Sequence, residues 1–213
     1  MLSASLLCGI LSAIVLTMAI WRFSSRRHTL PCPVWLRWFV ELDNPFTKTN
    51  RAAFIIDTLA IEPGMVVLDA GCGPGRLTIP LAQRAGHTGQ VVAMDLQQGM
   101  LDRTKRKAEA IGLTNIEYLH AGLGESKLFS DRFERAVLVT VLGEIPDRRA
   151  ALAELFKVLK PGGILAVVEL IFDPHFQTRR TVTDLAVAVG FVERGFWGNR
   201  IAYIIHFEKS RGE

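Results

Sequence analysis

From residue 66 to residue 170, short runs of Val, Leu, Ile and Ala alternate with longer stretches of helical periodicity, and this alternation limits the possible folds more than any other feature of the chain. Strands are expected at 66–69, 91–95, 116–120, 136–140 and 164–170, with helices near 77–85, 99–111 and 148–159. Strands that alternate with helices call for a parallel sheet covered on both faces. The tail departs from this rule. A helix near 178–189 precedes two short strands, 192–197 and 201–207, parted only by Gly198, Asn199 and Arg200, so an antiparallel hairpin should close the sheet. The fold class is therefore α/β, with seven strands, most of them parallel. Upstream, residues 46–60 read as one more helix, ended by Pro63 and Gly64.

The stretch LDAGCGPGRL, residues 68–77, falls at the first strand-to-helix turn, the place where open parallel sheets bind ligands. Gly71, Gly73 and Gly75 let the backbone approach a ligand closely. A dinucleotide fingerprint would need glycine at position 76, which holds Arg76. Asp95 ends the second strand and is placed to accept hydrogen bonds from both hydroxyls of a ribose. Asp69, just before the loop, can face a cationic amino group, which a pyrophosphate lacks. Cys72 reads as a small side chain in the turn. With Cys8 and Cys32 it forms neither a CxxC nor a Cys/His pattern, so no metal site or disulfide framework is expected.

Three segments resemble the class I S-adenosylmethionine-dependent methyltransferases, including those of ubiquinone and menaquinone biosynthesis and of small-molecule acceptors. VVLDAGCGPGRLTIPLA is similar to that family's first motif, VVAMD to its ribose-binding acidic strand end, and LFKVLKPGGILAVVE to its helix, turn and fifth strand. The resemblance covers about residues 54–207. It implies a Rossmann-like, doubly wound, seven-stranded sheet whose last strand runs against the others, and S-adenosyl-L-methionine as cofactor. On the same resemblance, Asp69, Gly71, Gly73, Gly75, Asp95, Leu96, Gly122 and Leu123 are the cofactor-binding positions. One departure stands out in LHAGLGES: Gly122 falls where the family often carries an acid near the adenine amino group. Either the backbone of Gly122 and Leu123 or the side chain of Glu125 would then serve.

Methyl transfer from a sulfonium is an in-line displacement, so positioning and exclusion of water supply much of the acceleration, and a base is needed only for a nucleophile of high pKa. Candidate catalytic residues are Glu144 after the fourth strand, and Glu169 and His175 at or beyond the end of the fifth. His175 is the natural proton acceptor near neutral pH. No Asn/Asp-Pro-Pro-aromatic run follows the fourth strand, and the Lys and Arg residues behind the net charge of +4 are mostly scattered, so no nucleic acid partner is expected.

The amino terminus carries a separate signal. Residues 2–21 contain no charge and would span about 30 Å as a helix, one membrane crossing. There is no basic stretch before the run and no small-residue cleavage site after it, so it reads as an anchor and not as a cleaved leader. Arg22, Arg26 and Arg27 follow, which puts the remainder on the cytoplasmic side of a single-pass protein. Trp35, Trp38, Phe39 and Leu42 then share one helical face, which either lies among lipid headgroups or packs on the domain. With Asn44 this face can close a pocket from above. The chain thus divides into an anchor with a basic juxtamembrane segment (1–30), an amphipathic lead-in (31–60) and a cofactor-binding domain (61–213). The acceptor expected of such an arrangement is small and lipophilic: a quinone-like phenol, an aminophospholipid, or an apolar thiol or amine. The alternatives are a tethered enzyme for a soluble or protein substrate, and a cofactor-binding subunit without turnover.

Overall fold

The computed structural model describes residues 47–211, together with the isolated positions Gly9 and Leu16. Apart from Gly9 and Leu16, the expected anchor at 2–21 lies outside the described residues, as do the aromatic face at 35–42, Asn44 and the start of the 46–60 helix. Among the described residues, no helix is long and apolar enough to cross a membrane.

The alternation predicted from the sequence is realised as β1 (Val66–Ala70), α2 (Thr78–Ala85), β2 (Gln90–Asp95), α3 (Gln98–Ala110), β3 (Ile116–His120), β4 (Phe133–Val139), α4 (Arg148–Val158) and β5 (Leu159–Leu170), preceded by α1 (Ala52–Leu59). Helix α5 (Arg179–Ala188) leads into β6 (Phe191–Gly198) and β7 (Ala202–Lys209). The sheet order is β3-β2-β1-β4-β5-β7-β6. Strands β1 to β5 pair in parallel, while β7 is inserted antiparallel between β5 and β6. Order reverses at β1, so the carboxyl ends of β1 and β4 flank a crevice.

Both faces of the sheet are buried, which is why its central strands read as unbroken apolar runs. One core joins Leu68, Val92, Leu138 and Val167 to Leu152 and Leu155 of α4 and Val182 of α5. The other joins Val67, Val91, Val137 and Val168 to Ile55 and Leu59 of α1 and Leu81 of α2. Three boundaries differ from the sequence reading by more than two residues, one of them the start of β5, at Leu159 instead of 164. Strand β4 starts at Phe133 instead of 136, because Glu134 and Arg135, which look like loop residues, find partners. Glu134 accepts the Val66 N–H at 2.8 Å and pairs with Lys160, and Arg135 Nε donates to the Leu59 carbonyl at 2.8 Å. Upstream, the helix expected over 46–60 breaks at Arg51, whose extended backbone (φ −82°, ψ 134°) separates a 3-10 turn, Lys48–Asn50, from α1.

Candidate active site

The glycine loop is built onto the end of β2. The N–H groups of Gly71 and Cys72 both donate to the Met94 carbonyl, at 2.8 and 3.0 Å, and Gly73 N–H donates to Asp95 Oδ2 at 2.9 Å. From the other side α3 holds the loop: Thr104 Oγ1 donates to the Gly73 carbonyl at 3.0 Å, and Lys107 Nζ to the Pro74 carbonyl at 2.8 Å. Gly71, Gly73 and Gly75 all have positive φ. A Cβ on Gly71 would lie 2.4 Å from Val141 Cγ2, and one on Gly75 2.7 Å from Thr104 Cγ2, whereas one on Gly73 would meet nothing within 4 Å. Two glycines are therefore demanded by packing, and the third leaves open space over the loop.

Asp95 faces that space. It is 9% exposed, its Oδ1 accepts the Gln97 N–H at 2.8 Å, and burial raises its pKa against the pull of its two N–H donors. Each carboxylate oxygen has one backbone donor and keeps a lone pair, so the pair can accept from two adjacent hydroxyls. Leu96 beside it is 59% exposed, and a Cβ on Gly122 would lie 2.9 Å from Leu96 Cδ2 and 2.8 Å from Glu125 Oε1. Glu125 thus reaches back to Gly122, whose N–H it accepts, while Leu123 packs on the core. An acidic pair of oxygens, an exposed apolar side chain and an open glycine turn fit an adenosine.

Asp69, expected to face a cationic amino group, lies buried at the foot of the loop. It is 3% exposed beneath the loop, and its Oδ2 accepts from Thr78 Oγ1 at 2.6 Å. Burial pushes its pKa up to about 6, with Thr78 and the charge of Arg76 acting the other way. Thr78, Thr104 and Lys107 are loop-holding residues that the sequence reading missed. Their signal is only a hydroxyl in the first turn of one helix and a Thr/Lys pair three apart on another.

The three candidate catalytic residues gather at the carboxyl ends of β4 and β5. The loop after β4 touches the glycine loop through Val141 and the loop after β5 through Gly143, where a Cβ would lie 1.9 Å from the His175 carbonyl. Thr140, which links β4 to this loop, has φ 55°, a costly conformation for a β-branched residue. His175 is 5% exposed, with Nδ1 3.9 Å from Glu144 Oε1. Glu169 is 1% exposed; its Oε2 accepts the Gln177 N–H at 3.0 Å, and its Oε1 has no hydrogen-bond partner among the described residues. Burial raises its pKa to about 8, so it is predominantly a neutral acid at pH 7. Gln177 is held further by Tyr203, whose hydroxyl donates to its carbonyl at 2.6 Å. A pocket of about 340 Å³ opens here, lined by Gly143, Arg148, Thr181 and residues 175–178.

The sequence profile of the ubiE/COQ5 methyltransferase family matches residues 46–181, which include every residue of this site except Tyr203. The chain belongs to this family. Its cofactor is S-adenosylmethionine. Among curated relatives, it is 35% identical over 125 residues to the ubiquinone/menaquinone biosynthesis C-methyltransferase UbiE of Vibrio vulnificus (strain YJ016), covering 57% of this chain and 48% of that protein. It is also 35% identical over 109 residues to the demethylmenaquinone methyltransferase of Bacillus cereus (strain ATCC 10987 / NRS 248), covering 51% of this chain and 46% of that one. The chain thus spans about half the length of the curated relatives it matches. Two solved structures share the fold. A SAM dependent methyltransferase from Aquifex aeolicus superimposes with a TM-score of 0.74 at 19% identity, over 83% of this chain and 98% of its own. The [4+2]-cyclase SpnF does so with a TM-score of 0.68 at 16% identity, over 77% and 81%.

Proposed function

We propose that this protein transfers a methyl group from S-adenosylmethionine to a small lipophilic acceptor of the quinone-like phenol class, at a membrane to which residues 2–21 fasten it. The observation that carries the reading is Asp95 at the open side of the glycine loop, with the paired loops of β4 and β5 beside it. Bound S-adenosylmethionine would supply an electrophilic methyl group on a sulfonium. In this reading Asp95 accepts the ribose hydroxyls, Leu96, Gly122 and Leu123 border the adenine, and Gly71, Gly73 and Gly75 let the chain pass close to the remainder. Asp69 sets the loop through Thr78 and acts on the cofactor's amino group only through the loop.

The acceptor lies, on this proposal, against the joined loops 140–144 and 171–178. A phenol-type ring must lose a proton for the methyl to be retained, and His175, whose Nδ1 lies 3.9 Å from Glu144 Oε1, takes it. Glu169 serves by staying neutral and holding the Gln177 N–H, which fixes the loop that carries His175. The activities named for the relatives support the acceptor class, and the uncharged run at 2–21 supports delivery from a bilayer with the domain on the cytoplasmic side. The deciding experiment incubates the full chain with methyl-labelled cofactor and a total lipid extract. Label in a quinone-type fraction, reduced by His175→Ala, is the expected result; label confined to protein would refute the acceptor class.

A further inference from the structure

Arg76 stands directly after the last glycine of the loop, and its guanidinium points away from it to Asn50. Nη1 donates to the Asn50 carbonyl at 2.7 Å and Nη2 to Asn50 Oδ1 at 3.2 Å. A planar two-pronged donor thus holds both the backbone and the side chain of one residue, a grip that the point charge of lysine does not reproduce. Asn50 ends the 3-10 turn Lys48–Asn50. The other side of that turn meets the carboxyl-terminal hairpin: Thr49 is 9% exposed, and a Cβ on Gly198 would lie 3.0 Å from its Cγ2. In the sheet β4, β5 and β7 lie between β1 and β6. The turn therefore bridges the β1 loop and the end of β6, and packs on β5 and β7 between them.

We infer that Arg76 is a positioning residue that couples the cofactor loop to the 48–50 turn, so that filling the loop fixes one border of the acceptor side. The inference rests on the proposed function, since it needs the loop to be the cofactor's. It goes beyond it by giving a role to the residue that breaks the dinucleotide spacing. Three backbone hydrogen bonds make the turn's state readable: Asn50 N–H to Thr47, Arg51 N–H to Lys48 and Ile55 N–H to Arg51, at 3.1 to 3.2 Å.

Amide hydrogen exchange on the full chain in detergent, with and without saturating S-adenosylhomocysteine, tests the coupling. In the wild type the ligand should slow exchange about tenfold or more at residues 50–55 as well as at 71–77. In Arg76→Met the slowing at 71–77 should persist while that at 50–55 falls below about threefold, and Arg76→Lys should behave like Arg76→Met. Asn50→Ala, which keeps the backbone acceptor, should give an intermediate value and serves alone should Arg76→Met fail to fold. Ligand binding without slowing at 50–55 in the wild type overturns the inference and leaves the proposed function standing, as does full slowing at 50–55 in Arg76→Met or Asn50→Ala. Absence of any calorimetric binding of S-adenosylhomocysteine to the wild type overturns both.

Discussion

Asp95 and Glu169 are both buried acids, yet the structure gives them opposite employments, and single substitutions separate them. Asp95 keeps two oxygens at an open surface, so Asp95→Ala should cost about 2 to 4 kcal/mol of S-adenosylhomocysteine binding. Asp95→Asn, which retains one acceptor, should lose less. Titration calorimetry reads both, and unchanged affinity in Asp95→Ala removes the residue from the site. Glu169 instead affects folding through its protonation. Its folded pKa of about 8 lies above the ordinary 4.5. Below pH 4 the carboxyl is protonated in the folded and unfolded chain alike and contributes nothing to the balance. Between about 4.5 and 8 the unfolded chain ionises while the folded one stays neutral, so stability falls as pH rises through that window, by up to about 4 kcal/mol. Asp69, raised to about 6, adds a smaller loss of the same sign at lower pH. Glu169→Gln stays neutral and still offers a carbonyl to Gln177. Denaturant unfolding should therefore show the variant near the wild type at pH 4.5 and more stable than it at pH 8. A stability difference that does not change with pH would show that Glu169 ionises normally in the fold.

Among the elements, the glycine turn separates packing demands from ligand demands within five residues. Gly71→Ala puts a methyl group 2.4 Å from Val141 Cγ2 at a φ of 74°. It should lower the melting temperature and cofactor affinity together. Adding Val141→Ala removes the collision and should restore part of both, leaving about 1 to 2 kcal/mol for the left-handed backbone. At Gly73 there is nothing within 4 Å, so Gly73→Ala should cost the fold only about 1 kcal/mol. Cofactor affinity should fall more than that if the open space is where the ligand approaches. Equal losses of stability and affinity at Gly73 would contradict that assignment. This contrast was not legible in the sequence, where the three glycines look alike; it depends on neighbours 29 to 70 positions away, Thr104 and Val141. The elements themselves were legible, because buried parallel strands leave unbroken apolar runs and the hairpin is marked by Gly198 and Asn199. What escaped were boundaries set by partners distant in sequence. Glu134 and Arg135 belong to β4 only because Val66, Lys160 and Leu59 receive their side chains, and Asp69 turns inward only because Thr78 waits beneath the loop.

At the scale of the whole molecule, the hydrophobic clusters among the described residues fall within residues 52–207, and α1 closes one of them. On the proposed function, the contribution of residues 1–30 should lie in where the domain works. If they fasten the enzyme to the bilayer, removing them should leave S-adenosylhomocysteine binding and turnover on a detergent-dispersed quinone-type acceptor within about twofold of the full chain. Turnover on the same acceptor held in vesicles should fall by about two orders of magnitude, because tethering acts through effective concentration. Topology supplies an independent check on the same proposal: if Arg22, Arg26 and Arg27 hold the domain on the cytoplasmic side, protease added to intact cells should spare it. A truncated chain that methylates vesicle-borne acceptor as fast as the full one would sever the uncharged run from catalysis. Entry of the acceptor would then depend on the carboxyl edge of the sheet alone, where Phe172 and Ile201 stand 64% and 46% exposed beside the His175 loop.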